Sequence, residues 1–303
     1  MVILPSNKFG QTIRKILIDS LNKLDDSTYI KLYNYWLRGR NPGVLRNPLK
    51  LCDKINWLKI NYRIPLLHTV VDKYAVREYV KNKIGKQYLN QLYFASESFS
   101  RPLYEKLPSQ YVLKGTHGSG INLICYQKGQ YSYDYIKKTT DEWLDTDYYI
   151  TRREWAYKDV PRKLICEKLL LHSNGKIPED LKVFCFNGVP QYIQVDFDRF
   201  GYHTRSIYDP QWKLLPFTNA NSLNKVYPNK DPISKPGNLK EVIDIARELS
   251  KEFVLARIDL YNVDYKKIVF GEITLYPCSG TGDLKPVSYE YHYGCLLDLN
   301  AVK

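Results

Sequence analysis

The apolar positions of this chain change period along its length, dividing it into a helical first part and a strand-rich remainder. Ile13, Ile16, Leu17 and Leu21, then Ile30, Leu32, Tyr33 and Trp36, recur at helical spacing, which predicts helix across residues 9–38. GRNPG at 39–43 interrupts that run, and Leu51, Ile55, Trp57 and Leu58 predict a further helix over 48–62. Residues 72–85 read as a helix with both ends marked. Asp72 is the N-cap, Val76, Tyr79, Val80 and Ile84 the buried stripe, and Gly85 follows the last turn. Short apolar runs take over from Tyr111, predicting strands at 111–114, 163–171, 180–186 and 191–196, with Asn187-Gly188 as a two-residue hairpin turn. A polar and aromatic stretch at 131–158 reads as helix plus loop, and residues 219–238 as a loop. A helix over 239–253 then leads into a final hairpin of two apolar strands, Val254–Ile258 and Ile268–Phe270. Helices first, then a largely antiparallel set of strands closed by one helix and a hairpin, is an α+β pattern.

Three features depart from plain core-building. The final hairpin carries Arg257, Asp259 and Glu272 where charged side chains are normally excluded. A carboxylate on each of two neighbouring strands, with a cation beside them, is what a magnesium–phosphate site requires; a buried ion-pair cluster would be spelled the same way. In YVLKGTHGSG (111–120) a strand ending at Lys114 runs into a glycine-rich loop. Such a loop can close its backbone N–H groups on phosphates, or serve as an ordinary turn. It is neither GxxxxGK[ST] nor GxGxxG. Lys73 lies in the first turn of its helix, where the dipole disfavours a cation unless an anion is near. His117, in the loop, is compatible with phosphate contact or with solvation. HExxH, zinc-type Cys/His spacing and GxSxG are all absent.

The composition narrows the partners. A length of 303 residues with 44% hydrophobic and 25% charged content suits a globular chain with a substantial core. The 45 Lys and Arg against 32 Asp and Glu leave +13, which implies an anionic partner. The cations are dispersed and no nucleic-acid-binding motif accompanies them, so no specific nucleic acid is expected. Six cysteines without a CxxC pair, several inside apolar runs, suit buried free thiols and a cytoplasmic location. The start MVILPSNKFG is too short in its apolar part for a signal peptide, and no run approaches the roughly 18 apolar residues of a membrane span. Work as a peripheral protein at the inner membrane face stays open.

Taken in order, DK (72–73), VLKGTHGSG (112–120), CEKLL (166–170), DLKVFCFNG (180–188), RIDLY (257–261) and GEITLYP (271–277) resemble the ATP-grasp superfamily, and more closely its TupA-like, teichuronopeptide-biosynthesis branch. The likeness runs from about Leu51 to Leu299. It implies an ATP-grasp fold in which two α+β lobes clasp ATP between antiparallel sheets. The lobes would be residues 111–168 and 169–303, after a helical region at 1–110. By the same resemblance Lys73 and Lys114 meet the nucleotide phosphates, and His117, Gly118, Ser119 and Gly120 cover them. Glu167, Lys168, Leu169 and Leu170 form the hinge that reads adenine. Asp180, where the superfamily has a longer Glu, takes the ribose, with Lys182 nearby. Asp259 and Glu272 hold Mg²⁺, joined by Thr274 at a position often occupied by Asn, and Arg257 steadies the phosphoryl group.

The implied reaction is ATP-dependent joining of a carboxylate to an amine through an acyl phosphate. The family context makes the carboxylate a uronic acid of an acidic surface polysaccharide and the amine an amino acid. Arg199 and Arg205 are candidates for gripping that carboxylate. A glycosyltransferase, whose strand-end DxD motif would be Asp196-Phe197-Asp198, and a non-catalytic binder of acidic glycans are the alternatives.

Overall fold

The computed structural model describes residues 23–197, 202–219 and 233–302, with positions 20 and 227–228. Ile13, Ile16, Leu17 and Leu21 of the first predicted helix lie outside the described residues, as do Asp198 and Arg199. Ten strands in two sheets and six main helices make up the described part. The helices are α1 (Leu51–Asn61), α2 (Leu66–Val71), α3 (Val76–Ile84), α4 (Tyr133–Asp145), α5 (Leu239–Ser250) and α6 (Ser288–Leu296). Short helical turns separate them, including Tyr148–Arg152. Asp72 accepts from the N–H groups of Tyr74 and Ala75 at 2.8 and 3.2 Å, marking the entry to α3, and Gly85 ends the helix at φ 103°.

The smaller sheet has the order β1-β4-β2-β3, built from β1 (Leu92–Ser96), β2 (Tyr111–Gly115), β3 (Asn122–Cys125) and β4 (Leu164–Lys168), all antiparallel. Its core is its own: Phe99, Leu107, Leu113, Ile136, Leu164 and Cys166 pack between the strands and α4. The structure draws this lobe differently from the sequence division at residue 111, because β1 joins it from the preceding stretch. Helices α1–α3 share their core with the larger sheet instead; Leu58, Leu67, Val70 and Val80 pack into the same cluster as Val183 and Ile258.

The larger sheet runs β10-β9-β5-β6-β7-β8, from β5 (Asp180–Phe186), β6 (Val189–Phe197), β7 (Thr204–Tyr208), β8 (Tyr227–Pro228), β9 (Leu255–Val263) and β10 (Lys267–Thr274). Asn187 and Gly188 both have positive φ, 50° and 77°, as the two-residue turn between β5 and β6 demands. Period-2 alternation sorts these strands into two faces. Leu181, Val183, Ile193, Val195, Ile258 and Leu260 are register partners on the face that α5 covers, where the Cys185 thiol lies 3.7 Å from the Ala246 carbonyl. The opposite face carries Asp180, Lys182, Gln194, Asp196, Arg257 and Asp259.

One extra residue in β10 decides whether Glu272 joins that polar face. Phe270 pairs with Leu260, Gly271 is passed over, and Glu272 pairs with Asp259. Without this bulge Gly271 would stand opposite Asp259, and Glu272 would turn to the apolar side. Only glycine fits there, since a Cβ at 271 would sit 2.9 Å from the Asp259 carbonyl oxygen.

Among the described glycines, the tightest fit joins α6 to the start of α1. A Cβ on Gly294 would stand 1.9 Å from the Leu49 carbonyl oxygen, whereas Gly237 meets nothing within 4 Å and has no positive φ. Gly294→Ala is therefore expected to lower stability by about 1–3 kcal/mol through overpacking, and Gly237→Ala to leave it unchanged or raise it by a few tenths. Urea unfolding of the two variants beside the parent checks the contrast; equal effects would mean that α6 is not seated where described.

Candidate active site

Cross-strand register assembles the charged group on the open face of the larger sheet. Arg257 chelates Asp259, Nε to Oδ1 at 2.6 Å and Nη2 to Oδ2 at 2.7 Å. The same Nη2 reaches Glu272 at 3.2 Å and the Thr274 hydroxyl at 3.0 Å. Lys182 lies 2.7 Å from Asp180, 3.5 Å from Asp259 and 3.6 Å from Asp196, one ammonium serving three carboxylates. Arg205 closes the far end with Nε 2.6 Å from Asp196, and its other nitrogen donates to Asn219. It is thus committed within the network. Gln194, buried, donates to Asp196 at 3.1 Å.

The titration of the two paired carboxylates separates. Burial drives Asp259 above the ordinary carboxylate range despite Arg257 and Lys182, and the Glu272 charge adds to the push. Burial acts on Glu272 too, but Lys73, Arg257 and Lys182 outweigh it and hold that group down to about 2. Glu272 keeps 30% of its side chain exposed against 7% for Asp259, so it is the carboxylate that looks into the cleft. With Thr274 Oγ1 3.2 Å from Glu272, two carboxylates and a hydroxyl converge on one spot. Each carboxylate oxygen has a lone pair beyond the one Arg257 uses. An all-oxygen set of this kind fits Mg²⁺, a hard cation content with one or two protein carboxylates.

Further cations face the cleft from the segment between α2 and α3 and from the smaller lobe. Lys73 donates from its backbone to Thr116 at 3.2 Å and from Nζ to the Gly118 carbonyl. Burial lowers its affinity for the proton, and Glu272 opposes that shift. Lys114 pairs with Glu167 at 2.7 Å, and Arg77, on α3, holds the other Glu167 oxygen at 2.8 Å. The glycine loop has its own steric logic: a Cβ at Gly118 would lie 2.9 Å from the Tyr148 ring, and Gly120 adopts φ 76°. Ser119 and Gly120 are exposed. His117 is not with them. Its ring is buried, Nε2 donates to the Trp143 carbonyl at 2.9 Å, and burial depresses its basicity, so it anchors the loop to α4.

Between the sheets lies a cavity of about 730 Å³. Val112, Lys114 and Ile124 line it from one lobe and Asp180, Asp196, Tyr261 and Phe270 from the other, with Glu167 to Leu170 at the back. Lys168, at the end of β4, is tied to the residues just before β1: its N–H donates to Gln91 O at 3.0 Å, and Asn90 donates to its carbonyl at 2.8 Å. Lys182 links this cavity to the metal-type pair, because it bridges Asp180, which lines it, and Asp259. Asp196, first residue of the DxD at the end of β6, is sealed between Arg205 and Lys182 rather than turned outward. A second acidic group, Cys52, Asp283 and Glu290, lies outside the cleft, and Glu290 there spends both oxygens on the N–H groups of Cys52 and Leu284.

Sequence reasoning did not find Arg77, Gln194, Asp196 as a cavity residue, or Tyr261. Arg77 reads as one more exposed helix cation. Tyr261 could have been found, because it shares the parity of Arg257 and Asp259 on β9.

Comparison with known proteins supplies a family. The family model described as TupA-like ATPgrasp matches residues 53–297. No curated protein matches the chain. Among solved structures, the N5-carboxyaminoimidazole synthase of Aspergillus clavatus with ADP and 5-aminoimidazole ribonucleotide is 12% identical, over 71% of this chain and 46% of its own, at TM-score 0.38. The D-alanine–D-alanine ligase of Bacillus anthracis is 15% identical over 82% and 73%, at 0.42. The N5-carboxyaminoimidazole synthetase of Staphylococcus aureus with ADP is 9% identical over 84% and 52%, at 0.43. The chain spans about half the length of the two carboxyaminoimidazole enzymes.

The depressed Glu272 group has a consequence for the ligand-free protein. A carboxylate held at about 2 when folded, against about 4.5 when free, stabilises the fold fully above 4.5 and loses that contribution as the pH falls toward 2. Glu272→Gln should destabilise the protein at neutral pH, and the gap to the parent should close as the pH drops through that window, in metal-free denaturant titrations. A gap independent of pH would rule out the Lys73–Glu272–Arg257 arrangement.

Proposed function

Since the chain belongs to the TupA-like ATP-grasp family, we propose that it is an ATP-dependent carboxylate–amine ligase whose carboxylate is a uronic acid of an acidic surface polysaccharide and whose amine is an amino acid. The observation that carries the reading is the Asp259–Glu272 pair on one sheet, faced by Lys73 from the turn before α3, next to a cavity of nucleotide size that Lys114 lines from the smaller lobe.

In this reading the cavity takes the adenosine of ATP as substrate, with Tyr261, Phe270, Val112 and Ile124 against the base and Asp180 toward the ribose. The triphosphate extends past Lys114 toward Lys73 and Arg257, under the exposed N–H groups of Ser119 and Gly120. Mg²⁺ on Asp259, Glu272 and Thr274 would neutralise phosphate charge there. The substrate carboxylate attacks the γ-phosphorus and ADP leaves. The amine nitrogen then attacks the acyl carbon, loses a proton, and expels phosphate. Positioning and charge compensation by Arg257, Lys73 and Lys182 do most of the work, which explains a site without a nucleophile or triad. Arg205, bound to Asp196 and Asn219, supports the sheet face instead of presenting a free guanidinium. The net charge of +13 supports an acidic acceptor, and the family resemblance supports the uronic acid.

ATP with Mg²⁺ should raise the melting temperature, by the equivalent of about 2.7 kcal/mol at a hundredfold excess over Kd. ADP release should require a uronic acid and an amino acid together and should vanish in a folded Glu272→Ala variant. Nucleotide binding without carboxylate-dependent turnover would leave the ATP site and remove the ligase; no response to ATP would remove both.

A further inference from the structure

Two stretches distant in sequence, residues 31–54 and 283–297, meet on the side of the molecule built by α1 and α6, away from the nucleotide cavity. Gly294 lies against the Leu49 carbonyl, Lys50 Nζ stands 5.5 Å over the Tyr291 ring, and Arg40 pairs with Asp283. Exposed apolar side chains concentrate here: Trp36, Leu37, Val44, Leu49, Val287 and Tyr291, with Trp36 at 67% and Leu49 at 57% exposure. Val44 and Val287 share the rim of a shallow cavity of about 360 Å³ with Arg40, Lys50 and Lys285.

The charge on the same stretches is one-sided. Lys31, Arg38, Arg46 and Lys285 are exposed, whereas Asp53 and Glu290 are buried and hydrogen-bonded inside, and Asp283 is taken by Arg40. No other acid occurs on either stretch. Exposed apolar side chains gathered on two packed stretches mark an interaction site. A hydrated polyanion such as a glycan would meet the cations but gain nothing from Leu37, Leu49 or Val287. A second copy docked through the same face would oppose like charges across the axis. A bilayer with anionic lipids satisfies both halves: aliphatic and indole side chains enter the headgroup boundary while Lys and Arg meet the lipid charge.

We propose that this side of the molecule, which exposes Trp36, Leu49 and Tyr291 together with Arg38, Arg46 and Lys285, docks the protein on an anionic membrane surface. Among the described residues no helix is long and apolar enough to cross a membrane, so the attachment is peripheral. The inference does not depend on the ligase reading.

The test is co-sedimentation of the full chain with phosphatidylcholine vesicles, with and without phosphatidylglycerol, at rising salt. The protein should bind only the phosphatidylglycerol vesicles and be released by salt. Arg38→Glu with Arg46→Glu, and separately Trp36→Ser with Leu49→Ser, should each weaken binding at least about tenfold. Both pairs should keep the parent melting temperature and its response to ATP. Lys240→Glu with Lys251→Glu, on and just after α5, is the control for net charge. Absence of binding overturns the proposal. So does equal loss in the control, which would assign the effect to overall charge, or a vesicle-independent dimer abolished by the apolar pair, which would assign the face to a second copy.

Discussion

A single ammonium makes the polar side of the larger sheet possible. Lys182 lies among Asp180, Asp196 and Asp259, three carboxylates brought together by the register of β5, β6 and β9 and almost closed to solvent. Unpaired, such a group would be too costly to fold around. Arg205 and Arg257 complete the compensation at either end, so the sheet can present charge on one face while the other is ordinary aliphatic core under α5. The cavity walls, the metal-type pair and the packing of the lobe all inherit this balance.

The elements were legible where chemistry repeats along the chain. Alternation in DLKVFCF placed Asp180 and Lys182 together on one face, and the Asn-Gly turn and the capped helix α3 stand where local spelling put them. Arg257 and Asp259 share a face, as do Asp180 and Lys182, because parity within one strand is local information; Glu272 joins them only through the bulge in β10. What remained hidden is set by other strands. The sequence shows Gly271 but not that it is skipped in the ladder, since a bulge exists only relative to its partner. Nor can it show that His117 turns inward to Trp143, or that Arg205 is claimed by Asp196, because each depends on a neighbour far along the chain. The lobe boundary failed for the same reason: β1 belongs to a sheet whose other strands follow it.

The glycine loop and the metal-type face are coupled through few contacts. Lys73 touches the loop at Gly118 and Thr116 and feels Glu272 across the cleft, and Tyr148 packs against Gly118. The loop's glycines answer local geometry, Gly118 lying against the Tyr148 ring and Gly120 taking positive φ, while His117 anchors the loop to α4.

The pairing of Lys114 with Glu167 and of Arg257 with Asp259 bears on how an anion is captured. With most of its cations already facing carboxylates, the cleft projects only a weak field into solvent. An arriving polyanion must displace internal partners, so capture there is governed by short-range exchange. Lys31, Arg38, Arg46 and Lys285 lie exposed outside the cleft, and exposed cations of this kind set the diffusional encounter rate with anything large and acidic. On the proposed ligase reading, the molecule separates where it is attracted from where it reacts.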